Sequence, residues 1–254
     1  MNSCLWQLDR HNAQLRVAQL TAAIDLSNPA VGLSGLCLSG NSLGDARVLG
    51  IEMPSFPVGR ADALAESLVR GADLVADYEE SENWPVRVEA VWRAGDRSTS
   101  SGALAIIELV ISVRTHRLES RPELVVQSAL PTTDVLRLAD QDTAQFDSIG
   151  REGPCVIKPA GGPGCLLFRF PASESSPSYA EMVHPADFVE DRLRVVGESA
   201  PSVELRHRLF PGPLEKGVIL RARVCAVFCR RDDDAQTAAQ CYAAFSAAEP
   251  PLGG

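Results

Sequence analysis

Alternation of apolar and polar side chains at period two predicts an all-β, mainly antiparallel protein, a large β-sandwich or supersandwich closed by one C-terminal α-helix. Three features carry that expectation: an alternating segment followed by a wholly apolar one, short β-branched runs recurring between Gly/Pro turns, and a single helical stripe near the end. In 84–93, Trp84, Val86, Val88, Ala90 and Trp92 share one face, and the other face, Pro85, Arg87, Glu89, Val91 and Arg93, is mostly polar. Successive side chains of a pleated strand point to opposite sides, so this segment reads as a half-buried strand. Segment 103–113 is apolar in both phases and β-branched, the signature of a central strand covered on both faces. The polar stretch 95–102 between them makes the pair an antiparallel hairpin.

Further strands are predicted at 5–8, 14–17, 32–38, 47–53, 63–69, 74–78, 123–130, 154–158, 164–170, 192–196, 203–210 and 218–228. Pro159-Ala160-Gly161-Gly162-Pro163 reads as a second hairpin turn, because Pro and Gly punctuate strand reversals. Many short strands at this spacing indicate a sandwich rather than a βαβ fold, and no repeat of 20–50 residues suggests a propeller. Near the end, Ala235, Ala238, Ala239, Tyr242 and Phe245 follow helical spacing. Asp232 or Asp233 is the expected cap of that helix, and Pro250 and Pro251 its stop. A short helical turn is expected near 185–190. The weakly periodic stretch 139–153 reads as a long loop or hinge within a single domain spanning 1–254.

Composition narrows the partners. The 254 residues are 45% hydrophobic and 22% charged, enough for a sizeable core and unlike a disordered chain. The net charge of -9 opposes binding to nucleic acid, whose phosphates attract basic fields. The first ten residues have no signal-peptide character, and no apolar run reaches the length of a membrane span. The seven cysteines are therefore expected as reduced thiols in the cytoplasm. No metal, nucleotide or other cofactor motif is complete: His11, His116, His184 and His207 are scattered, and Gly161-Gly162-Pro163-Gly164 lacks the Lys-Ser/Thr ending of a phosphate loop.

Four constellations can carry chemistry. In 179–188, Tyr179, Glu181, His184 and Asp187 lie close in sequence and supply an acid, a base and a stacking ring. The plain alternative is a strand exit whose polar groups satisfy nearby backbone. In 214–223, Glu215 adjoins Lys216, and Arg221 and Arg223 share one strand face. That face suits a carboxylate, phosphate or polyol, or else ion pairs with residues such as Glu204 or Glu89. Arg221→Ala and Arg223→Ala are accordingly expected to cost binding more than stability. Arg60 with Asp62, and Arg70 with Asp73, read as structural ion pairs at turns. Glu108, inside the apolar strand, must pair with an arginine such as Arg87 or Arg221, or line a cavity with a raised pKa. Trp6, Trp84 and Trp92 belong in the core.

The stretches 179–188 (YAEMVHPADF) and 209–228 (LFPGPLEKGVILRARVCAVF), with the terminal helix, resemble a bacterial protein family to which no activity is attached. More distantly, the strand-rich layout resembles the galactose mutarotase-like supersandwich. The Asn-His sugar-binding signature of that family is missing, so none of its catalytic residues carries over. The favoured function is a non-enzymatic binding or interaction module for a carbohydrate-like or anionic ligand, with Tyr179, Asp187, Lys216, Arg221 and Arg223 as ligand-binding candidates. One alternative is a mutarotase-like or lyase-like carbohydrate enzyme using His184 or His207 with Glu181 or Glu215 as acid and base. Another is a structural assembly protein that joins others through an exposed sheet.

Overall fold

Strand dominates residues 5–54, 63–95, 102–150, 153–171, 176–197 and 199–249, the residues described by the computed structural model of the chain. A meander of β1 (Trp6–Asp9), β2 (Asn12–Val17), β3 (Leu20–Asp25), β4 (Ser34–Leu38) and β5 (Asn41–Ser42) pairs in chain order as one five-stranded sheet. There follow β6 (Arg47–Glu52), β7 (Leu64–Arg70), β8 (Asp73–Tyr78), β9 (Arg87–Gly95), β10 (Ala103–Arg114), β11 (Glu119–Ser120) and β12 (Val125–Leu130). Next come β13 (Asp134–Asp140), β14 (Gln145–Ser148), β15 (Cys155–Ile157), β16 (Cys165–Arg169) and β17 (Ser178–Val183). The last strands are β18 (Glu190–Val196), β19 (Ser202–Arg208), β20 (Leu214–Glu215) and β21 (Leu220–Cys229), before helix α1 (Asp234–Ser246).

A nine-stranded antiparallel sheet runs β14-β13-β16-β17-β21-β10-β9-β8-β7, and a second five-stranded sheet runs β15-β18-β19-β12-β6. The two five-stranded sheets meet at the bridge Leu33↔Val48. Their inner faces share one hydrophobic core with the inner face of the nine-stranded sheet, including Trp6, Trp92, Phe168, Tyr179 and Phe228. The three indole N–H groups donate to the backbone oxygens of Ala72, Pro122 and Leu49, so each ring is buried without an orphaned donor. The outer face of the nine-stranded sheet carries a second core beneath α1, built from Leu167, Met182, Cys165, Cys225, Cys229, Cys241, Tyr242 and Phe245. These four cysteines are buried and stand as thiols rather than in disulfides. The described residues thus form an all-β sandwich with helix α1 packed outside it.

The hairpin of β9 and β10 forms as the alternation predicts; its turn, 96–101, lies outside the described residues, as do Arg60, Asp62, Pro250 and Pro251. Elsewhere the structure corrects the sequence reading. Residues 159–163 are not a hairpin turn: β15 pairs with β18 and β16 with β13 and β17, so the segment crosses between layers through the short 3-10 turn Pro159–Gly161. Pro and Gly mark a corner as well as a reversal, and pairing is decided by which sheet offers a neighbour. Within 139–153, where a long loop or hinge was expected, β13 and β14 form a tight hairpin at the sheet edge. The segment near 185–190 turns without forming a helix. Glu108 is not covered on both sides. Its face of β10 is half-exposed, its neighbours in register are Arg93 and Cys225, and Arg87 and Arg221 stand opposite Arg114 and Ser112 instead.

The helix start also differs. Asp233 occupies the cap position without a side-chain cap hydrogen bond, and the carboxylate that matters is Asp234 in the first turn. It accepts Nε and Nη2 of Arg169, both at 2.9 Å, and the Ser178 hydroxyl at 2.7 Å. This bidentate pair, with its carboxylate buried and its arginine partly exposed, fastens α1 to β16 and β17. Asp234→Ala is expected to cost about 1.5–3 kcal/mol, the range for hydrogen bonds to charged groups. Urea unfolding should show the loss, and Arg169→Ala in the same chain should add little to it.

Candidate functional site

Strand β17 is buried on both faces, between the opposing layer and α1. Its inward row is Tyr179, Glu181 and Val183, so a carboxylate stands in the middle of the sandwich with none of its surface exposed. A buried carboxylate is tolerable only if it is hydrogen-bonded and compensated. Glu181 Oε1 meets His207 Nε2 at 2.8 Å, Oε2 accepts the Ser128 hydroxyl at 2.6 Å, and the Tyr179 phenol also donates to Oε2. His207 Nδ1 in turn lies 2.5 Å from Asp191 Oδ1. The second five-stranded sheet supplies these partners because Val126, His207 and Asp191 form one inward cross-strand row on β12, β19 and β18.

Both ring nitrogens of His207 thus face carboxylates, and both must donate, so the ring is an imidazolium. Burial alone would depress its pKa, but the Asp191 and Glu181 carboxylates outweigh burial and push it up to about 10. Burial first, then the Glu181 charge, raises the Tyr179 phenol well above its usual range, so it remains a donor. Asp191 Oδ2 is buried without a hydrogen-bond partner. The relay Asp191–His207–Glu181 joins the two layers. An acid and a base are within hydrogen-bond reach, and His207 is 1% exposed.

The remaining sequence candidates separate. His184 Nδ1 accepts the Ala186 N–H at 3.2 Å, so its Nε2 donates to the Ser246 carbonyl at 3.2 Å. The ring is then neutral, its pKa lowered by burial and by Arg223. Arg223 is buried, donates its backbone N–H to Asp187 Oδ2 at 3.0 Å and Nη1 to the Ala248 carbonyl at 3.0 Å, and stacks 5.7 Å from the Phe245 ring centre. Burial raises the Asp187 carboxyl despite these donors. This cluster ties down the far end of α1. Arg221 is half-buried and donates to the Ser112 hydroxyl at 3.1 Å. Glu215 and Lys216 lie exposed on and beside β20. The nine candidates therefore line no common groove.

The outer face of the second five-stranded sheet gathers polar groups of which the sequence reading named only Glu204, as an ion-pair partner. Arg47, Ala129, Glu204 and Arg194 form one outward row across β6, β12, β19 and β18, and Gly50, Gln127, Arg206 and Arg192 form the next. Small Ala129 leaves space between its neighbours, and the result is an open cavity of about 200 Å³. Arg206 donates to Gln127 Oε1 at 2.9 Å and Glu52 Oε1 at 2.8 Å; Gln127 Nε2 donates to the Ala30 carbonyl at 2.8 Å; Arg194 Nε donates to Glu204 Oε2 at 2.7 Å. The cavity rim is the short turn Pro29–Val31, and its approach depends on Gly50, where a Cβ would sit 2.3 Å from the Ala30 carbonyl.

A bulge at Leu49 aims this wall. Leu49 has φ of 55°, a left-handed conformation that costs an L-residue about 1–2 kcal/mol. Its N–H donates to the Ser128 hydroxyl at 3.1 Å and its carbonyl accepts the Trp92 indole. The register against β12 shifts there, so Arg47 and Glu52 both point outward. Ser128 thereby links the buried relay to the cavity. The signal that could have found this wall was the alternation of Arg192, Arg194, Glu204 and Arg206 with apolar residues, which needs the strand order before it becomes a surface.

No protein-family model matches the chain, and no curated protein matches it in sequence. In three dimensions the chain is similar to a protein described as an aldose 1-epimerase from Escherichia coli. The two are 10% identical over 85% of this chain and 97% of that one, with a TM-score of 0.58. A protein of Synechocystis sp. PCC 6803 is 10% identical over 86% of this chain and 96% of that one, with a TM-score of 0.54. The α-galactosidase AgaB of Geobacillus stearothermophilus is 10% identical over 89% of this chain but 41% of its own, with a TM-score of 0.50. At such identity the likeness is one of fold: a sandwich distantly resembling the galactose mutarotase-like proteins. Among the described residues, no helix is long and apolar enough to cross a membrane.

Because the folded pKa of His207 lies near 10, above the ordinary 6.5, its charge contributes fully to stability below about pH 6.5, and that contribution is lost as pH rises through 10. His207→Gln should cost about 3–5 kcal/mol near neutral pH. The gap from wild type in urea unfolding should narrow as pH approaches 10. Contrary to the sequence expectation, Arg223→Ala should lower stability by about 1–3 kcal/mol, seen as earlier loss of α1 in hydrogen exchange.

Proposed function

We propose that the protein is a non-enzymatic binding module that holds a carbohydrate-like or anionic ligand in the outer cavity of the second five-stranded sheet. The observation that carries this reading is the set of pre-oriented donors and acceptors around Ala129: the guanidinium of Arg206 fixed on Gln127 and Glu52, and that of Arg194 fixed on Glu204. Polyol hydroxyls need donors and acceptors side by side, and paired arginines and carboxylates provide both without reorganisation. The fold shared with proteins described as an aldose 1-epimerase and an α-galactosidase is consistent with a sugar-like ligand.

A mutarotase-like reaction is the second reading, favoured by the 2.8 Å contact of His207 with Glu181. The burial of both groups opposes it, since a general acid or base must reach the proton that it moves.

Calorimetric titration with a panel of monosaccharides and sugar acids tests the binding reading. Arg206→Ala should weaken any ligand found by about tenfold or more, the loss for a residue at the centre of a site, with unfolding free energy changed by less than about 1 kcal/mol. Unchanged affinity in that variant would remove the cavity from consideration. Nuclear magnetic resonance of anomer exchange should show no acceleration over buffer; acceleration lost in Glu181→Gln would establish the enzyme instead.

A further inference from the structure

We infer that the ligand of this cavity is a polyhydroxylated monocarboxylate, a sugar acid of the uronate type, with its carboxylate on Arg47. The inference rests on the binding reading above and adds the ligand's charge. Four charged side chains among the described residues line the cavity, Arg47, Arg194, Glu204 and Arg206, and Glu52 stands beside Arg206. Arg194 is neutralised by Glu204, with 2.7 Å between charged atoms, and Arg206 by Glu52, also at 2.7 Å. Arg47 lines the same cavity, yet it makes no ion pair or side-chain hydrogen bond with any described residue. Among the described residues, one positive charge is therefore left over in the cavity, on a protein whose net charge is -9.

Its placement is built. The backbone of β6 is held beside Arg47 by the Leu49 bulge, whose N–H and carbonyl are both bonded to groups from the interior. Across the sheet, Ala129 separates Arg47 from Glu204 and leaves room for a ring-sized group between a free guanidinium and the Arg194–Glu204 pair. A guanidinium meets a planar carboxylate through two parallel N–H donors. A carboxylate carries one negative charge, which matches the one arginine of the cavity left without a partner among the described residues. A phosphate monoester carries about -1.5 to -2 at pH 7 and leaves its excess beside Glu52 and Glu204. The neutralised pairs are left to meet hydroxyls.

Titration of the full chain with D-glucuronate, D-glucose and D-glucose 6-phosphate distinguishes the possibilities. Glucuronate should bind about tenfold or more tightly than glucose, and Arg47→Gln should bring it down to the glucose level, the loss of one charge-assisted contact. Ala129→Leu, which fills the cavity but removes no polar group, should abolish both. Arg47 is exposed and Ala129 lies on an outward face, so both variants should unfold at wild-type urea concentrations. Glucose binding as tightly as glucuronate, or no effect of Arg47→Gln, would overturn the sugar-acid assignment and leave the cavity as a neutral-sugar site. Tighter binding of the 6-phosphate would replace the carboxylate by a phosphate. If none of the three binds, the binding reading falls together with the inference.

Discussion

The structure depends on how one carboxylate is accommodated between two sheets. Glu181 has no exposed surface, and leaving its charge uncompensated would cost about 3–5 kcal/mol, a large share of a domain's typical stability margin. Its compensation is drawn from the opposite layer: an imidazolium from β19, a hydroxyl from β12, and behind the imidazolium a second carboxylate from β18. The hydrophobic driving force has no direction of its own, whereas these hydrogen bonds do. The relay therefore sets the relative placement of the nine-stranded sheet and the layer facing it. Through Ser128 it also sets the bulge that shapes the outer wall.

Much of the fold was legible because pleating writes burial into the sequence at period two. The segments over β2, β6, β8, β9, β10, β12, β16, β19 and β21 were all readable as strands, and the terminal stripe of Ala238, Tyr242 and Phe245 does face the sheet. Strand β3 was missed because its inward row, Leu20, Ala22 and Ile24, is interrupted by a small residue and flanked by Thr21 and Ala23. Strand β14 is the edge of its sheet and β13 the strand beside it, where fewer side chains are buried and the alternation fades. The crossing at 159–163 was misread because local turn chemistry does not say which strand will be the next neighbour.

The site was legible in part. Glu181, His207 and Tyr179 were all recognisable as chemistry-bearing residues, but their contact spans 26 residues of chain and joins different sheets. No spacing rule reaches that far. Their depth was equally hidden, since the apolar residues that seal them come from the facing layers of the sandwich. Arg223 looked like half of a paired arginine face, yet the last turn of α1 covers it. The outer wall was invisible for the opposite reason: Arg47, Gln127, Arg194 and Arg206 come from four strands, and each alone is an unremarkable solvated residue.

The bulge at Leu49 makes the two faces of one sheet dependent on each other. Its strained residue is bonded on the interior side to Ser128 and Trp92, while its neighbour two positions earlier, Arg47, forms part of the exterior. A single strand's thickness separates a charge network sealed in the protein from a solvent-facing recognition surface. Substitutions on opposite sides of that strand will consequently fail to add: a conservative change at Ser128, invisible from outside, re-tunes the geometry offered to whatever docks there.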